Sequence, residues 1–139
     1  MSVQFFPLEG CLTTATAIRT AIANSVLHLF QSSFVPEPGD PLSEYTAAEA
    51  DYAGYAAETL AAWNVPILAP GTGYMIGSPL VQFEWVSGGG DPTNIIGGCY
   101  LVDAAGKLRM TIIFTQPIPM QQAGQGIPIN LVWLFPTGV

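Results

Sequence analysis

The stretch IIGGCYLVDAAGKLRMTIIFT, residues 95–115, constrains the fold of this chain more than any other. Its middle, residues 103–106, carries Asp at the first position and Gly at the fourth, which is typical of a type I turn with an adjoining bulge in a hairpin. The pattern therefore predicts two strands joined by a tight turn. After the turn every second side chain is apolar, as in a half-buried strand: Leu108, Met110, Ile112 and Phe114.

The strand before the turn is apolar on both of its faces. A strand of this kind is typical of the inside of a sheet, with protein on either side. Its two glycines indicate positions where another part of the chain comes close to the backbone. One face is predicted to carry Ile96, Gly98, Tyr100 and Val102, and the other Ile95, Gly97, Cys99 and Leu101.

Alternating or apolar segments elsewhere predict further strands, at residues 25–34, 54–63, 71–78, 80–86 and 127–135. The last segment carries large apolar side chains at consecutive positions. Ile129, Leu131, Trp133 and Phe135 form one face, and Val132 and Leu134 form the other. Both faces of this strand are therefore expected to be buried.

Two short helical segments are also indicated. Residues 13–24 place apolar side chains at helical spacing, with Thr13 or Thr14 as the cap. Residues 46–49, Thr-Ala-Ala-Glu, have the form of a capping box, which predicts a single helical turn starting at Thr46.

Strands separated by Gly, Pro and Asp turns, without a long helix between them, predict an all-β fold. We expect an antiparallel β-sandwich of the jelly-roll or immunoglobulin-like type, with an N-terminal arm and room for one short helix. The chain of 139 residues suits one core. The predicted division is an arm with a short helix at residues 1–24, followed by a sandwich domain at residues 25–139.

The composition points to assembly. Half of the residues are hydrophobic and only 9% are charged, whereas soluble domains usually carry about 25% charged residues. Burial of much of the surface against other subunits would explain this, since obligate interfaces resemble a core cut in half. The alternative is a β-protein that exposes mainly Thr, Ser, Gln, Asn and Gly. We favour a homo-oligomer.

Charge and hydropathy argue against two classes of partner. The net charge is −7, and Arg19, Lys107 and Arg109 are too few for a phosphate-binding surface, so nucleic-acid binding is not expected. No apolar run is long enough to predict a transmembrane helix, and no secretory signal is recognised at the N-terminus. The excess of acidic residues is interpreted as a source of repulsion between protein molecules in solution.

No pattern of catalytic or metal-binding residues is found, so neither enzyme activity nor a cofactor or metal is predicted. The single histidine, His28, is interpreted as a hydrogen-bonded structural residue. Cys99 is interpreted as a small buried apolar residue, and no environment is predicted for Cys11. Nothing in the sequence supports a disulfide between them. One alternative stays open: two carboxylates could meet in space, as in glycosidases, among Glu44, Glu49, Asp51, Glu58, Glu84, Asp91 and Asp103.

Two segments, YTAAEADYAGYAAETL and GCYLVDAAGKLRMTIIFTQPIPM, resemble short proteins encoded among the virion genes of tailed bacteriophages. Those proteins carry a Tyr-Thr-Glu-Ala-like segment, then Gly-Tyr-Ala-Ala-x-Thr-Leu and Gly-Tyr-Tyr-Val-x-Asp-x-x-Gly, and a strand ending in Phe before a Pro-containing segment. Here Cys99 replaces the first aromatic of the pair, and residues 110–113 are more apolar, which favours a buried or subunit-facing strand. The matching residues are Tyr45, Thr46, Gly54, Tyr55, Ala56, Ala57, Thr59, Leu60, Gly98, Tyr100, Val102, Asp103, Gly106, Phe114 and Pro117.

The resemblance implies a structural protein of the virion, assembled in the host cytoplasm. The first expectation is a trimeric capsid decoration or cement protein that binds the major capsid protein, or another virion protein, through apolar contacts. Its candidate subunit-contact residues are Val3, Phe5, Phe6 and Leu8 in the N-terminal arm, although a tail packed on its own domain is also possible. The alternative is a receptor- or glycan-binding module of a fibre, spike or tail tip, which predicts an exposed aromatic cluster.

Overall fold

A computed structural model describes residues 8–52, 54–69, 73–84, 94–120 and 125–136. These ranges contain two helices and nine strands, and all strand pairs between them are antiparallel, so the expected all-β class is confirmed. In chain order the elements are α1 (Leu8–Ala21), β1 (Ser25–Gln31), α2 (Leu42–Ala47), β2 (Glu58–Leu60), β3 (Ile67–Ala69), β4 (Gly73–Gly77), β5 (Val81–Glu84), β6 (Ile95–Val102), β7 (Leu108–Pro119), β8 (Gly126–Ile129) and β9 (Val132–Pro136).

The strands form three sheets. The largest has the order β2-β1-β6-β7, the second has the order β3-β4-β9, and the third pairs β5 with β8. One hydrophobic core contains buried residues from all three sheets and from α1, including Leu29 of β1, Ile76 of β4, Phe83 of β5 and Ala15 of α1. The helix from the predicted arm thus shares the core of the β-domain.

The central hairpin forms as the sequence predicts. The amide of Gly106 donates to the carbonyl of Asp103, which closes the turn, and Gly106 has a φ of 83°, a left-handed conformation that glycine adopts without a steric penalty. The side chain of Asp103 accepts hydrogen bonds from the amides of Ala105 and Lys107, both at 2.9 Å, and from Nε of Arg109 at 2.6 Å. One buried carboxylate therefore holds the turn and the first residues of β7.

Strand β6 lies between β1 and β7 and is buried on both faces, as predicted. A Cβ atom added at Gly98 would overlap the carbonyl oxygen of Ile112 and the ring of Phe30. The close approach inferred for this glycine is therefore a phenylalanine ring lying against the strand.

Two irregularities change the side on which predicted residues lie. The register shifts between Ile96 and Gly98 and again between Leu101 and Val102. Ile96 therefore joins the main core rather than the cluster that holds Tyr100, and Leu108 packs with that cluster rather than with Met110. The prediction of strict alternation was wrong at these two positions, because a bulge moves all residues beyond it to the opposite face.

The helices differ from their predicted positions. Helix α1 spans Leu8–Ala21 rather than residues 13–24, and Leu8, expected in the arm, is part of it. Helix α2 ends at Ala47, so Thr46 lies in its last turn instead of capping its start. The predicted capping box was wrong because Tyr45, three residues before Ala48, is buried and fixes this turn against the sheet.

Two predicted strands also need correction. Of residues 54–63, only Glu58–Leu60 is a strand, since only this part pairs with β1. Residues 127–135 form two strands in different sheets, β8 with β5 and β9 with β4. The predicted strand at 25–34 corresponds to β1, and the described parts of those at 71–78 and 80–86 correspond to β4 and β5; residues 71, 72, 85 and 86 lie outside the described residues. Strand β3 was not predicted.

Replacing Gly98 by Ala should destabilise the protein by about 3 kcal/mol, the upper end of overpacking costs, because the methyl group meets a backbone oxygen and a packed ring. Urea unfolding measures the loss. Gly39→Ala is the matched control, because nothing lies within 4 Å of a Cβ atom there. Equal stability of the two variants would contradict the close packing.

Hydrogen bonds from the Lys107 amide and from Arg109 hold the pKa of Asp103 below its usual range. The carboxylate therefore stabilises the fold above about pH 4, the ordinary pKa of Asp, and this contribution is lost as the pH falls through the lowered value. Asp103→Asn should lower the free energy of unfolding at neutral pH and weaken its dependence on acid. Glu44→Gln, an exposed carboxylate on α2, is the control; acid unfolding curves of the same slope for Asp103→Asn and wild type would refute the role.

Candidate interaction surface

The sheet β3-β4-β9 contains no charged residue. Its strands read ILA, GYMIG and VWLFP. In the other two sheets, charged residues occur on β2, β5 and β7. An antiparallel sheet with one face in water usually carries polar side chains on that face, and this sheet carries no charged one.

One face of this sheet is not covered by the core. The register places Ile67 beside Met75 and Met75 beside Leu134, with Val132 two residues along the same face. Ile67, Val132 and Leu134 are 47%, 59% and 46% exposed, and neither hydrophobic cluster includes them or Met75. We call this face, defined by these four residues, the outer face.

The opposite face belongs to the core. Ile76 and Phe135 are buried there, and Tyr74 and Trp133 pack against the same cluster. The prediction that residues 127–135 are buried on both sides was therefore wrong within this chain: Val132 and Leu134 face outward. An exposed apolar patch is a candidate contact site for another macromolecule.

The start of α1 lies at the edge of the outer face. Gly10, Cys11 and Thr14 line a cavity of about 180 Å³ together with Leu134, Phe135 and Pro136 of β9. The thiol of Cys11 donates to the carbonyl oxygen of Pro136 at 3.5 Å. Apolar residues of the helix and of the sheet therefore meet here.

The predicted contact residues divide between two parts of the chain. Val3, Phe5 and Phe6 lie outside the described residues. Leu8 lies in the first turn of α1 with 46% of its surface exposed, close in sequence to the cavity-lining Gly10 and Cys11. Sequence reasoning missed Ile67 and Met75; the apolar residues at consecutive positions in 132–135 were the available signal for this surface.

A polar cluster around His28 is the clearest arrangement of titratable groups in the described residues. Nδ1 of His28 hydrogen-bonds Oε1 of Glu49, and the hydroxyl of Tyr55 donates to the same oxygen at 2.8 Å. The ring of His28 stacks on Tyr100 with centroids 4.8 Å apart. The amide of Leu29 donates to the Tyr55 hydroxyl at 3.0 Å.

This cluster fastens Glu49 and Tyr55 to β1. Burial raises the pKa of the Tyr55 phenol well above its usual range, so the hydroxyl stays protonated and can donate to Glu49. Each group in the cluster thus has a partner that explains its position. The prediction of a hydrogen-bonded structural histidine is confirmed.

Three of the acidic residues considered for catalysis have polar partners of their own. Glu49 contacts His28, Asp51 accepts from Nδ2 of the buried Asn94 at 2.6 Å, and Asp103 holds the hairpin turn. Asp91 lies outside the described residues. Within the described ranges, no group of three or more His, Cys, Asp or Glu side chains is arranged to hold a metal ion.

Cys11 and Cys99 are both buried thiols and are not joined in a disulfide. Cys99 belongs to the main core, as predicted, and burial raises its pKa to about 12. Cys11 lines the cavity between α1 and β9.

A wider cavity of about 490 Å³ lies along β7. Tyr45 of α2 forms part of its wall, and Thr111 donates to the Tyr45 hydroxyl at 2.9 Å. Its lining contains no His, Cys or Ser, and its charged residues, Glu37 and Arg109, are on different segments of the wall. It is lined by Pro36, Glu37, Pro38, Tyr45, Leu108, Arg109, Met110, Thr111 and Ile113.

Aromatic side chains are kept inside the described part of the protein. Phe30, Tyr45 and Tyr100 form a buried cluster with edge-to-face and tilted ring contacts. Across the described ranges no aromatic side chain is exposed, although several are half-buried. The exposed large hydrophobic residues in this part of the chain are aliphatic.

Tyr55→Phe should destabilise the protein by about 1–3 kcal/mol, because it leaves the amide of Leu29 and the carboxylate of Glu49 each short of one hydrogen-bond partner. Thermal or urea unfolding measures this loss. Tyr74→Phe, at a half-buried tyrosine of β4 outside the cluster, is the control and should stay near wild-type stability. Equal effects of the two substitutions would show that the Tyr55 hydroxyl does not support the fold.

No helix in the described ranges is long and apolar enough to cross a bilayer. Comparisons with protein-family models, with curated proteins and with solved structures found no match to this chain.

Proposed function

We propose that this protein is a structural component of a virus particle, most specifically a capsid decoration or cement protein of a tailed bacteriophage. The observation that carries the proposal is the outer face: four apolar side chains on a sheet without charge, three of them about half exposed. Contact between such a face and another protein is favourable, because it removes apolar surface from water. The proposed mechanism is therefore binding by apolar burial, not catalysis.

The proposed partners are other copies of the chain, as a trimer, and the major capsid protein or another virion protein. Burial of a Val, Leu, Ile or Met side chain contributes about 1.5–3 kcal/mol. The outer face alone therefore offers a modest gain for each copy. Many copies on a repeating shell would strengthen the attachment through multivalency.

The N-terminal segment extends the proposed contact. The start of α1 lies against β9 at the edge of the outer face. The four candidate contact residues are at this start or precede it in the sequence: Val3, Phe5, Phe6 and Leu8. Apolar residues at this position would enlarge the surface buried against a partner. We also propose that the sheets form a sandwich of the jelly-roll or immunoglobulin-like type, supported by antiparallel pairing and by the core that they share.

A receptor- or glycan-binding module is supported less well. Recognition of sugars by stacking needs aromatic faces open to solvent. The aromatic residues of the described ranges are buried or half-buried, and Trp63, for example, is 2% exposed. The exposed aliphatic side chains favour protein contact instead.

Val132→Asp should reduce binding to particles at least about tenfold, since an unpaired carboxylate in an apolar interface costs more than about 1.4 kcal/mol. The free variant should keep its stability because the side chain is 59% exposed. Binding is measured by cosedimentation of the tagged protein with particles that lack it. Val35→Asp, at a valine that is 74% exposed in the loop before α2, is the matched control.

Two outcomes would count against the proposal. One is wild-type binding by Val132→Asp, and the other is equal loss of binding by both variants, which would indicate a general charge effect. The number of copies in purified virions, read from a stained gel, indicates the location in the particle: hundreds of copies fit the shell or the tail tube, whereas a handful fit the tail tip or the portal.

A further inference from the structure

Strand β7 forms one edge of the four-stranded sheet β2-β1-β6-β7. It has 12 residues, whereas strands in globular proteins usually have about 5–6. The strand at the opposite edge, β2, has three residues and carries Glu58. Short length and charge are common means by which an edge strand avoids pairing with another chain. β7 is therefore the edge of this sheet that is suited to accept a further strand.

The middle of β7 is uncharged and open to solvent. Arg109 is the one charged residue of the strand and is bonded to Asp103. Between Arg109 and Pro117 lie seven uncharged residues, Met-Thr-Ile-Ile-Phe-Thr-Gln, at 110–116. Ile113, at the centre of this run, is 59% exposed. Because the run contains no proline, each of its residues has an N–H group that can pair.

The ladder between β7 and β6 is incomplete beyond Ile113, which pairs with Gly98. The next pair joins Ile118 to Ile96, so residues 114–117 of β7 lie opposite a single residue of β6. β6 therefore cannot offer a partner to every main-chain group of this segment. In the part of the chain that the structure describes, β7 pairs with no other strand. These groups thus need partners from water or from a further strand.

The sequence around Ile113 is complementary to itself. When two copies of β7 run antiparallel with Ile113 opposite Ile113, Ile112 lies opposite Phe114. In the same register Thr111 lies opposite Thr115. Pairs of an aromatic and a β-branched residue, and pairs of threonines, are among the cross-strand pairs that stabilise sheets. This match favours a second copy of the chain as the partner strand.

The surroundings of these side chains fit the same register. Ile112 and Phe114 pack against the main core but are only half-buried, so a strand beside them would cover more of their surface. On the other face, the hydroxyl of Thr111 donates to the hydroxyl of Tyr45 at 2.9 Å. The Thr111 oxygen can still accept a hydrogen bond, and the exposed Thr115 of the second copy would lie opposite to donate one.

Charge does not oppose this contact. β7 contains no Asp or Glu, although the chain as a whole is acidic. In the register centred on Ile113, the two copies of Arg109 are offset by eight residues, which is about 27 Å along the strand. This separation is well beyond the screening length of about 8 Å at physiological salt.

We propose that two copies of this chain associate through the edges of their β7 strands, antiparallel about Ile113, so that two four-stranded sheets become one continuous sheet. The contact is isologous, because both copies contribute the same residues. The outer face lies on the sheet β3-β4-β9 and uses other residues. The inference therefore rests neither on the outer face nor on the proposed role in a virus particle.

Cysteine substitution tests the register. Ile113→Cys is oxidised in the full chain without particles, and linked dimers are identified on non-reducing gels and by peptide mass spectrometry. Residues directly opposite each other in antiparallel strands have Cα atoms about 4.5–5.5 Å apart. A disulfide requires about 4.4–6.8 Å. We therefore expect rapid linkage between the introduced thiols of two copies.

Thr111→Cys and Thr115→Cys are matched controls in the same strand. Each introduced thiol would lie four residues from its own counterpart, about 14 Å along the strand, so either variant alone should link at least several-fold more slowly than Ile113→Cys. A mixture of the two variants should link one to the other, because the register places Thr111 opposite Thr115. The native thiols, Cys11 and Cys99, are buried, and mass spectrometry distinguishes bridges to them.

Ile113→Lys tests the association without a new thiol. Lysine on an edge strand opposes pairing, and the register would place the two lysines directly opposite each other. Sedimentation over a range of concentrations should show self-association of the wild type and a dissociation constant at least several-fold higher for the variant. Val35→Lys, at a loop valine that is 74% exposed, is the control and should associate like the wild type.

Four results would overturn the proposal. A wild-type chain that is monomeric at every concentration has no such contact, and linkage of Thr111→Cys as fast as Ile113→Cys would indicate random collision. Self-association that is lost in Val132→Asp but kept in Ile113→Lys would place the contact on the outer face. Loss of particle binding by Ile113→Lys with unchanged self-association would show that the edge pairs with another protein. The first three results are obtained without particles and are separate from the effect of Val132→Asp on particle binding.

Discussion

The burial of β6 on both faces is the constraint on which the rest of the structure depends. Leu101 on one side belongs to the main core, whereas Tyr100 on the other packs with Phe30 and Tyr45. Parts of the chain far from β6 in sequence are fixed against these two faces. α2 contributes Tyr45, and Glu49 attaches through the histidine that stacks on Tyr100. A strand without a solvent face thus organises elements that have little regular structure of their own.

Period-two patterning predicted where most strands lie but not which core each side chain joins. The pattern of 95–115 shows alternation and glycine, and it identified the hairpin, its turn and the close approach at Gly98. Neither bulge has a comparable signal, because a bulge depends on the registry between two strands rather than on one of them. Leu108 and Ile96 were therefore assigned to the wrong faces. At Thr46, tertiary packing of Tyr45 prevailed over a local capping pattern.

The sequence predicts that an apolar surface exists, but not where on the structure it lies. The scarcity of charge indicated apolar surface in need of cover. Its location arises because residues 67, 75, 132 and 134 meet through strand pairing in one sheet. The sequence of β9 is typical of a buried strand; Phe135 is buried and Trp133 is partly buried, whereas Val132 and Leu134 are exposed. Residues suited to two-sided burial have one side covered within this chain, which is the physical basis for proposing an external partner.

The charged side chains and the outer face lie in different parts of the structure and have different roles. The carboxylates of Asp103, Glu49 and Asp51 each hold a turn or a loop to the large sheet. The net charge of −7 makes copies of the chain repel one another, but at physiological salt this repulsion reaches only about 8 Å. An uncharged face meets little of this repulsion once two surfaces are close, because no carboxylate has to lose its water there. A net negative charge and the proposed attachment by apolar burial are therefore compatible, because β3, β4 and β9 carry no charged residue.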